Sequence, residues 1–262
     1  MKLSWRRVTV IQDRALLTGW CHNVPRWSRA AGLTLCVATL IILMPGCDDD
    51  DESETAVVAI ADTHDFGANN PDLIVAMGDS ITTAHDAPPY PPMLASLLDL
   101  VVINEGISGE HAYEGVRRVA GVLALHSPGY LLVLYGANDL LHFAGADDIA
   151  EDLRVIVNAA QATGTIPILA TMTPMARSHG VFDPHIRDVN VFIRAMAEEE
   201  GVLVVDLEEV FGNLDNDETP YVMEADDLLQ WDGLHPNEMG NWEIALAFAD
   251  MINFVRTGVA VD

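Results

Sequence analysis

Lysine is almost missing from this 262-residue chain: Lys2 is the only one, and nothing after Gly46 replaces it. Beyond that point seven arginines face 39 of the 40 Asp and Glu residues. Phosphate binding needs clustered cations, so this surface excludes nucleic acid as a partner. It also excludes steering toward anionic lipid headgroups. The excess of acid reads as an adaptation to solubility or salt. Cysteine is scarce too. Cys21, Cys36 and Cys47 all precede the region that reads as globular, so no disulfide staples that region and it holds no cysteine metal site. Of the nine histidines, His85, His111 and His142 are not at metal-motif spacing, and no metal is assigned. With half of its residues hydrophobic, the body stands on its core alone.

A long apolar run is lacking as well. Ala30 to Met44 is uncharged and mostly apolar over 15 residues, behind Arg26 and Arg29. A membrane-spanning helix needs about 20. The run fits the apolar part of a secretory signal behind a positive flank. Met44-Pro45-Gly46-Cys47 closes it and resembles a bacterial lipoprotein box, in which the Cys becomes the lipidated first residue; a simple signal peptide or short membrane anchor is the alternative. Residues 1–46 are therefore read as a leader, and 47–70 as an acidic, solvated tether without apolar period. The expectation is export to the cell envelope with a lipid anchor on Cys47, or otherwise a periplasmic or secreted protein.

From residue 71 onward short apolar runs alternate with amphipathic stretches. Strands are expected at Leu73–Met77, Val101–Asn104, Tyr130–Tyr135, Ile166–Thr171 and Val202–Asp206. Helices are expected near Pro92–Leu98, Ala112–Leu125, Asp147–Thr163, Pro184–Glu200 and Glu238–Phe254. Strictly alternating strands and helices predict an α/β domain with a parallel sheet covered on both faces. No internal repeat and no second domain is visible. In such sheets ligands bind beyond the carboxyl ends of the strands.

Gly78-Asp79-Ser80-Ile81-Thr82 follows the first strand, which puts Ser80 on that edge. Three further blocks follow: Asn104-Glu105-Gly106-Ile107-Ser108-Gly109, then Gly136-Ala137-Asn138-Asp139, then Asp232-Gly233-Leu234-His235-Pro236-Asn237. A serine hydroxyl needs a base to become a nucleophile. His235 is the candidate base and Asp232 its orienting carboxylate. Pro236 disfavours helix at His235, so the pair is expected on a loop entering the last helix. Acyl transfer also needs donors to a developing oxyanion. The candidates are the Ser80 N–H, the Gly109 N–H and the Asn138 side chain.

With these blocks in this order, the chain resembles the SGNH (GDSL-type) hydrolases. The blocks stand here as GDSIT, NEGISGE, GAND and DGLHPN, and the resemblance covers about Leu73 to Phe254. It implies a flavodoxin-like three-layer α/β/α sandwich with a five-stranded parallel sheet over 71–262. Residue by residue it carries the family's Ser role to Ser80, its Gly to Gly109, its Asn to Asn138, its His to His235 and its acid to Asp232. It is most similar to the small bacterial thioesterase and lysophospholipase subgroup, partly through Asn190 to Leu207. Glu110-His111 stands where Asp-Thr is more usual, and Gly136-Ala137 replaces a common Gly-Gly; both changes bear on the pocket and leave the catalytic groups in place.

Taken singly, each block has a plainer reading. A lone Gly-Asp-Ser is usually a turn, and Asn104 or Asn138 alone reads as a loop cap. His85, His111 and His142 follow strand ends and are placed to line a cleft. Asp79 and Asp139 read as loop organisers. Met172 to Met175 reads equally as a substrate wall or as core. Jointly the blocks favour a monomeric, cofactor-free serine hydrolase acting on small acyl esters, thioesters or lysophospholipids. A sugar O-deacetylase or acyltransferase would use the same site. A noncatalytic surface-binding module has no need to keep all four groups.

Overall fold

The computed structural model describes residues 60–83, 86–212 and 225–258. Cys21, Cys36, Cys47, the leader and His85 lie outside the described residues. Five strands form one parallel sheet: β1 (Asn70–Gly78), β2 (Val101–Gly106), β3 (Pro128–Leu134), β4 (Ile166–Ala170) and β5 (Leu203–Val205), in the order β2-β1-β3-β4-β5. The helices are α1 (Ile60–Thr63), α2 (Ser80–Thr83), α3 (Tyr90–Leu98), α4 (Ala112–His126), α5 (Ala137–Leu141), α6 (Ala146–Ala162), α7 (Asp183–Glu200), α8 (Leu207–Val210), α9 (Ala225–Leu228) and α10 (Glu238–Thr257). A 3₁₀ turn at Arg177–Phe182 precedes α7. α4 packs on α6 and α6 on α7, whereas α3 and α1 pack on α10. That grouping is what right-handed crossovers produce when the strand order reverses at β1.

β3 is buried over its whole length and β4 likewise, as expected of central strands covered on both faces. Each fully buried Leu or Ile contributes about 1.5–3 kcal/mol. The helices bury the stripe that a 3.6-residue period prescribes. In α6 this is Ile149, Leu153, Ile156, Val157 and Ala160; in α10 it is Ile244, Phe248, Met251, Ile252 and Val255. Pro184 starts α7, and Gly201, at φ 65, ends it in the left-handed region. Asn237 caps α10, its side-chain oxygen accepting from the Gly240 N–H at 3.0 Å.

Register sets the active edge. Gly78 pairs with Gly106 of β2 and with Leu134 of β3, so all three strands stop at one height. The loops carrying Ser80, Gly109 and Asn138 leave from that height. The body begins earlier than the sequence suggests. α1 packs on α10, Phe66 meets Tyr130 edge-on at 5.8 Å, and the Asn69 side chain donates to Thr163 O at 2.9 Å. The tether expected over 47–70 thus gives way to the folded domain by Ile60. Among the described residues no helix is long and apolar enough to cross a membrane.

Candidate active site

β1 ends at Gly78, whose missing side chain is a steric requirement. A Cβ there would lie 2.1 Å from Thr82 Oγ1 and 2.6 Å from Leu134 O. The chain then turns directly into α2. Asp79 Oδ1 accepts from the Ile81 N–H at 2.9 Å, and Asp79 O accepts from Thr83 N at 3.0 Å. Ser80 is the first residue of α2, so its N–H precedes the first intrahelical donor. Its Oγ lies 2.8 Å from His235 Nε2.

The loop before α10 supplies the partners. His235 Nδ1 lies 2.6 Å from Asp232 Oδ2. Asp232 Oδ1 accepts from the N–H groups of Leu234 at 2.9 Å and His235 at 3.1 Å, folding the loop around its own carboxylate. Burial alone would raise the Asp232 pKa; the hydrogen bonds from His235 and from these two N–H groups bring it below the ordinary carboxylate range. Gly233 adopts φ +72, and a Cβ on it would meet Ala176 O at 2.1 Å. Only glycine fits that approach.

The segment after β4 clasps this loop. Ala176 N donates to Gly233 O at 2.7 Å, Ser178 Oγ to Asp232 O at 3.0 Å, and His179 Nδ1 lies 2.8 Å from the same oxygen. Arg177 donates to Gln230 O. Met172, Thr173 and Met175 are buried, and the two methionines belong to the hydrophobic core. Asn190, fully buried on α7, grips the Met172 backbone from both sides: Oδ1 accepts from Met172 N at 2.8 Å and Nδ2 donates to Met172 O at 3.0 Å.

On the other side of Ser80, Gly109 has φ +80, and Asn138 opens the first turn of α5. Asn138 Nδ2 donates to Glu110 O at 3.0 Å and makes a long 3.4 Å contact with Asp79 Oδ2. Asn104 keeps the plainer role: its Nδ2 donates to Thr82 O and its Oδ1 accepts from Gly106 N. Asp139 also organises a loop, both carboxylate oxygens accepting from Ala112 N at the start of α4. His111 and His142, with ring centroids 4.8 Å apart, line a cavity of about 430 Å³ with Tyr113, Asp139, Asp148 and Asp152; Ser80 and His235 do not line it. Among the described residues no group of three His, Cys, Asp or Glu is placed to hold a metal ion.

Asp79 is almost fully buried, beside Asp139 and Glu110. Burial, opposed in part by the Ile81 N–H and reinforced by the two neighbouring carboxylates, pushes its pKa from 3.8 up to about 7. A raised value means that the fold favours the protonated form. The stability this contributes is complete below about pH 4 and is lost as pH rises through about 7. At about 1.4 kcal/mol per tenfold change in proton affinity, the loss is on the order of 4 kcal/mol at most. Asp79→Asn, which cannot ionise, should therefore lose less thermal stability than the parent between pH 4 and pH 8. Equal pH slopes of the two melting midpoints would show that burial does not strain this carboxyl.

The GDSL-like lipase/acylhydrolase family matches residues 76–242, and the chain belongs to that family. It is 28% identical over 109 residues to thioesterase 1/protease 1/lysophospholipase L1 of Escherichia coli K12, covering 40% of this chain and 52% of that one. It is 28% identical over 99 residues to an arylesterase of Vibrio mimicus, covering 35% and 50%. The chain thus spans about half the length of these curated relatives. In fold it is similar to an acetylxylan esterase from Geobacillus stearothermophilus, with TM-score 0.59, 22% identity and coverage of 71% and 96%. It is similarly close to a GDSL-like lipase from Bacteroides thetaiotaomicron VPI-5482, with TM-score 0.57, 20% identity and coverage of 70% and 88%.

Sequence reasoning missed the clasp by Ser178 and His179, and also Arg118, whose guanidinium holds Glu110 beneath the Gly109 loop. A signal for Arg118 was present. It is one of only seven arginines in the body, and it shares the stripe of Gly115, Val119 and Val122 that α4 turns inward.

Proposed function

We propose that the chain is a serine hydrolase that cleaves the ester or thioester bond of small acyl esters or lysophospholipids through an acyl-enzyme on Ser80. The observation that carries this reading is the relay from Ser80 Oγ to His235 Nε2 and from His235 Nδ1 to Asp232, at 2.8 Å and 2.6 Å. Ser80 Oγ attacks the acyl carbonyl while His235 takes its proton and Asp232 stabilises the resulting imidazolium. The Ser80 N–H, the Gly109 N–H and the Asn138 amide receive the developing oxyanion. Collapse expels the alcohol or thiol, which leaves with the proton from His235. Water, deprotonated by the same imidazole, then attacks the acyl-enzyme; the carboxylic acid departs and Ser80 regains its proton.

An acyl substrate suits the loops around this edge. Ile107 on the Gly109 loop, Phe143 after α5 and Trp231 beside Asp232 are exposed apolar side chains, and the Phe143 ring stands 6.1 Å from Phe182 of the 3₁₀ turn. The test is a fluorophosphonate probe followed by peptide mapping, run beside a panel of nitrophenyl esters, an acyl-CoA, a lysophosphatidylcholine and a peracetylated sugar. Label on Ser80 with turnover of acyl esters is the expected result. No label on Ser80 would remove the nucleophile from the reading, and turnover of the acetylated sugar alone would replace its substrate class.

A further inference from the structure

We infer that Arg118 is a positioning residue for the oxyanion hole: its guanidinium holds, at once, both ends of the loop that carries Gly109 and Tyr135, on the segment that leads from β3 to Asn138. The inference rests on the reading of Gly109 and Asn138 as oxyanion donors.

The contacts converge on one group. Arg118 Nε donates to Glu110 Oε1 at 2.7 Å and Nη2 to Glu110 Oε2 at 2.8 Å, a two-point pair with the residue immediately after Gly109. Nη2 also donates to Glu105 O, and Nη1 to Glu105 Oε2 at 3.3 Å, where β2 gives way to the same loop. Nη2 also lies 3.1 Å from Tyr135 Oη, just past the end of β3. The Tyr135 hydroxyl in turn donates to Glu110 Oε2 at 2.6 Å, and His126 Nε2 lies 2.8 Å from Glu105 Oε1. Glu110 and Tyr135 are buried, so the bond between them is shielded from water. Burial alone would lower the Arg118 pKa; its hydrogen bond to Glu110 and the neighbouring groups reverse that.

Two features link this cluster to the donors. A Cβ on Gly109 would touch nothing within 4 Å, so packing does not fix that residue and its N–H is placed through its bonded neighbours. Glu110 is the anchored neighbour, by its side chain to Arg118 and by its N–H to Ile107 O at 3.1 Å. Glu110 O is also the acceptor that orients Asn138 Nδ2, at 3.0 Å. A shift of Glu110 therefore moves two of the three donors together. Lysine cannot reproduce this, because it lacks the planar fork that engages Glu110 at two points while reaching Glu105 and Tyr135.

The experiment measures kcat and KM in the full chain for parent, Arg118→Lys, Asn138→Ala and the double variant, on an oxygen ester and its thionoester. A thionoester develops charge on sulfur, a poor partner for N–H donors, so it depends less on the hole. Arg118→Lys should lower kcat on the oxygen ester by about 10²-fold, the effect of a misplacement near 1 Å. KM should change little, the thionoester should lose less, and the loss should shrink in the Asn138→Ala background. Equal losses on both esters, or losses that simply multiply in the double variant, would reduce Arg118 to a structural ion pair. If Asn138→Ala alone leaves kcat intact, the oxyanion reading itself fails; if Asn138→Ala is slow while Arg118→Lys matches the parent, only the present inference fails. Glu110→Gln, of the same shape but without charge, repeats the comparison should Arg118→Lys not fold, with the same outcomes deciding.

Discussion

Ser80→Ala is expected to abolish turnover of a short-chain nitrophenyl ester, with a loss on the order of 10⁴–10⁶ in kcat, while the melting midpoint stays near that of the parent. The size follows from the relay. With Oγ removed, no atom at this position can form the acyl-enzyme, and His235 has no hydroxyl to activate at 2.8 Å. What remains is activation of water by the imidazole and the polarising donors, which elsewhere leave a residual rate above the uncatalysed one. The fold should survive because the turn is held by other atoms: Asp79 Oδ1 on the Ile81 N–H, the Thr83 N–H on Asp79 O, and Asn104 on Thr82 O. Activity within a few-fold of the parent would show that another nucleophile does the work.

The sheet was legible because its strands are covered on both faces. Buried parallel strands read as unbroken apolar runs, and Pro128–Leu134 and Ile166–Ala170 stand within a residue or two of where those runs place them. Element ends were less legible, and each has a local cause. β1 starts at Asn70 rather than Leu73 because polar, exposed Asn70 still pairs with Pro128 across an irregularity in register. β5 is shorter than Val202–Asp206. The Val202 N–H closes α7 on Ala197 O, and the Asp206 side chain caps α8 by accepting from the Glu209 N–H. Helices of one turn, such as α2 and α5, are too short for any period to show.

Ser80, Asp232, His235 and the candidate donors Gly109 and Asn138 were legible as motif blocks, since each block carries its own turn chemistry. Glycine at 78, 109 and 233 marks the places where a Cβ collides or the backbone needs positive φ. The support of the site was not legible. Ser178 and His179 reach Asp232 O across more than fifty residues of chain, and Arg118 reaches Tyr135 from another element. No sequence pattern encodes which carbonyl a distant donor meets. Those pairings are set by where the strands stop, and that depends on register.

Asp232→Asn is the second substitution with a large expected effect, because it alters the proton inventory while nearly preserving shape. In the parent, Oδ1 takes the Leu234 and His235 N–H groups and Oδ2 faces His235 Nδ1. An asparagine that keeps its oxygen on the two N–H groups turns its NH₂ toward Nδ1. That selects the imidazole tautomer with the proton on Nε2, which then points a donor at Ser80 Oγ instead of a lone pair. A base in the wrong tautomer cannot accept the serine proton, and a comparable exchange in a triad lowers kcat by about 10⁴. KM should move little, since Asp232 lies behind the imidazole. If Asp232→Asn instead keeps the parent's kcat, the carboxylate serves only to fold the loop, and the tautomer of His235 is set by another group.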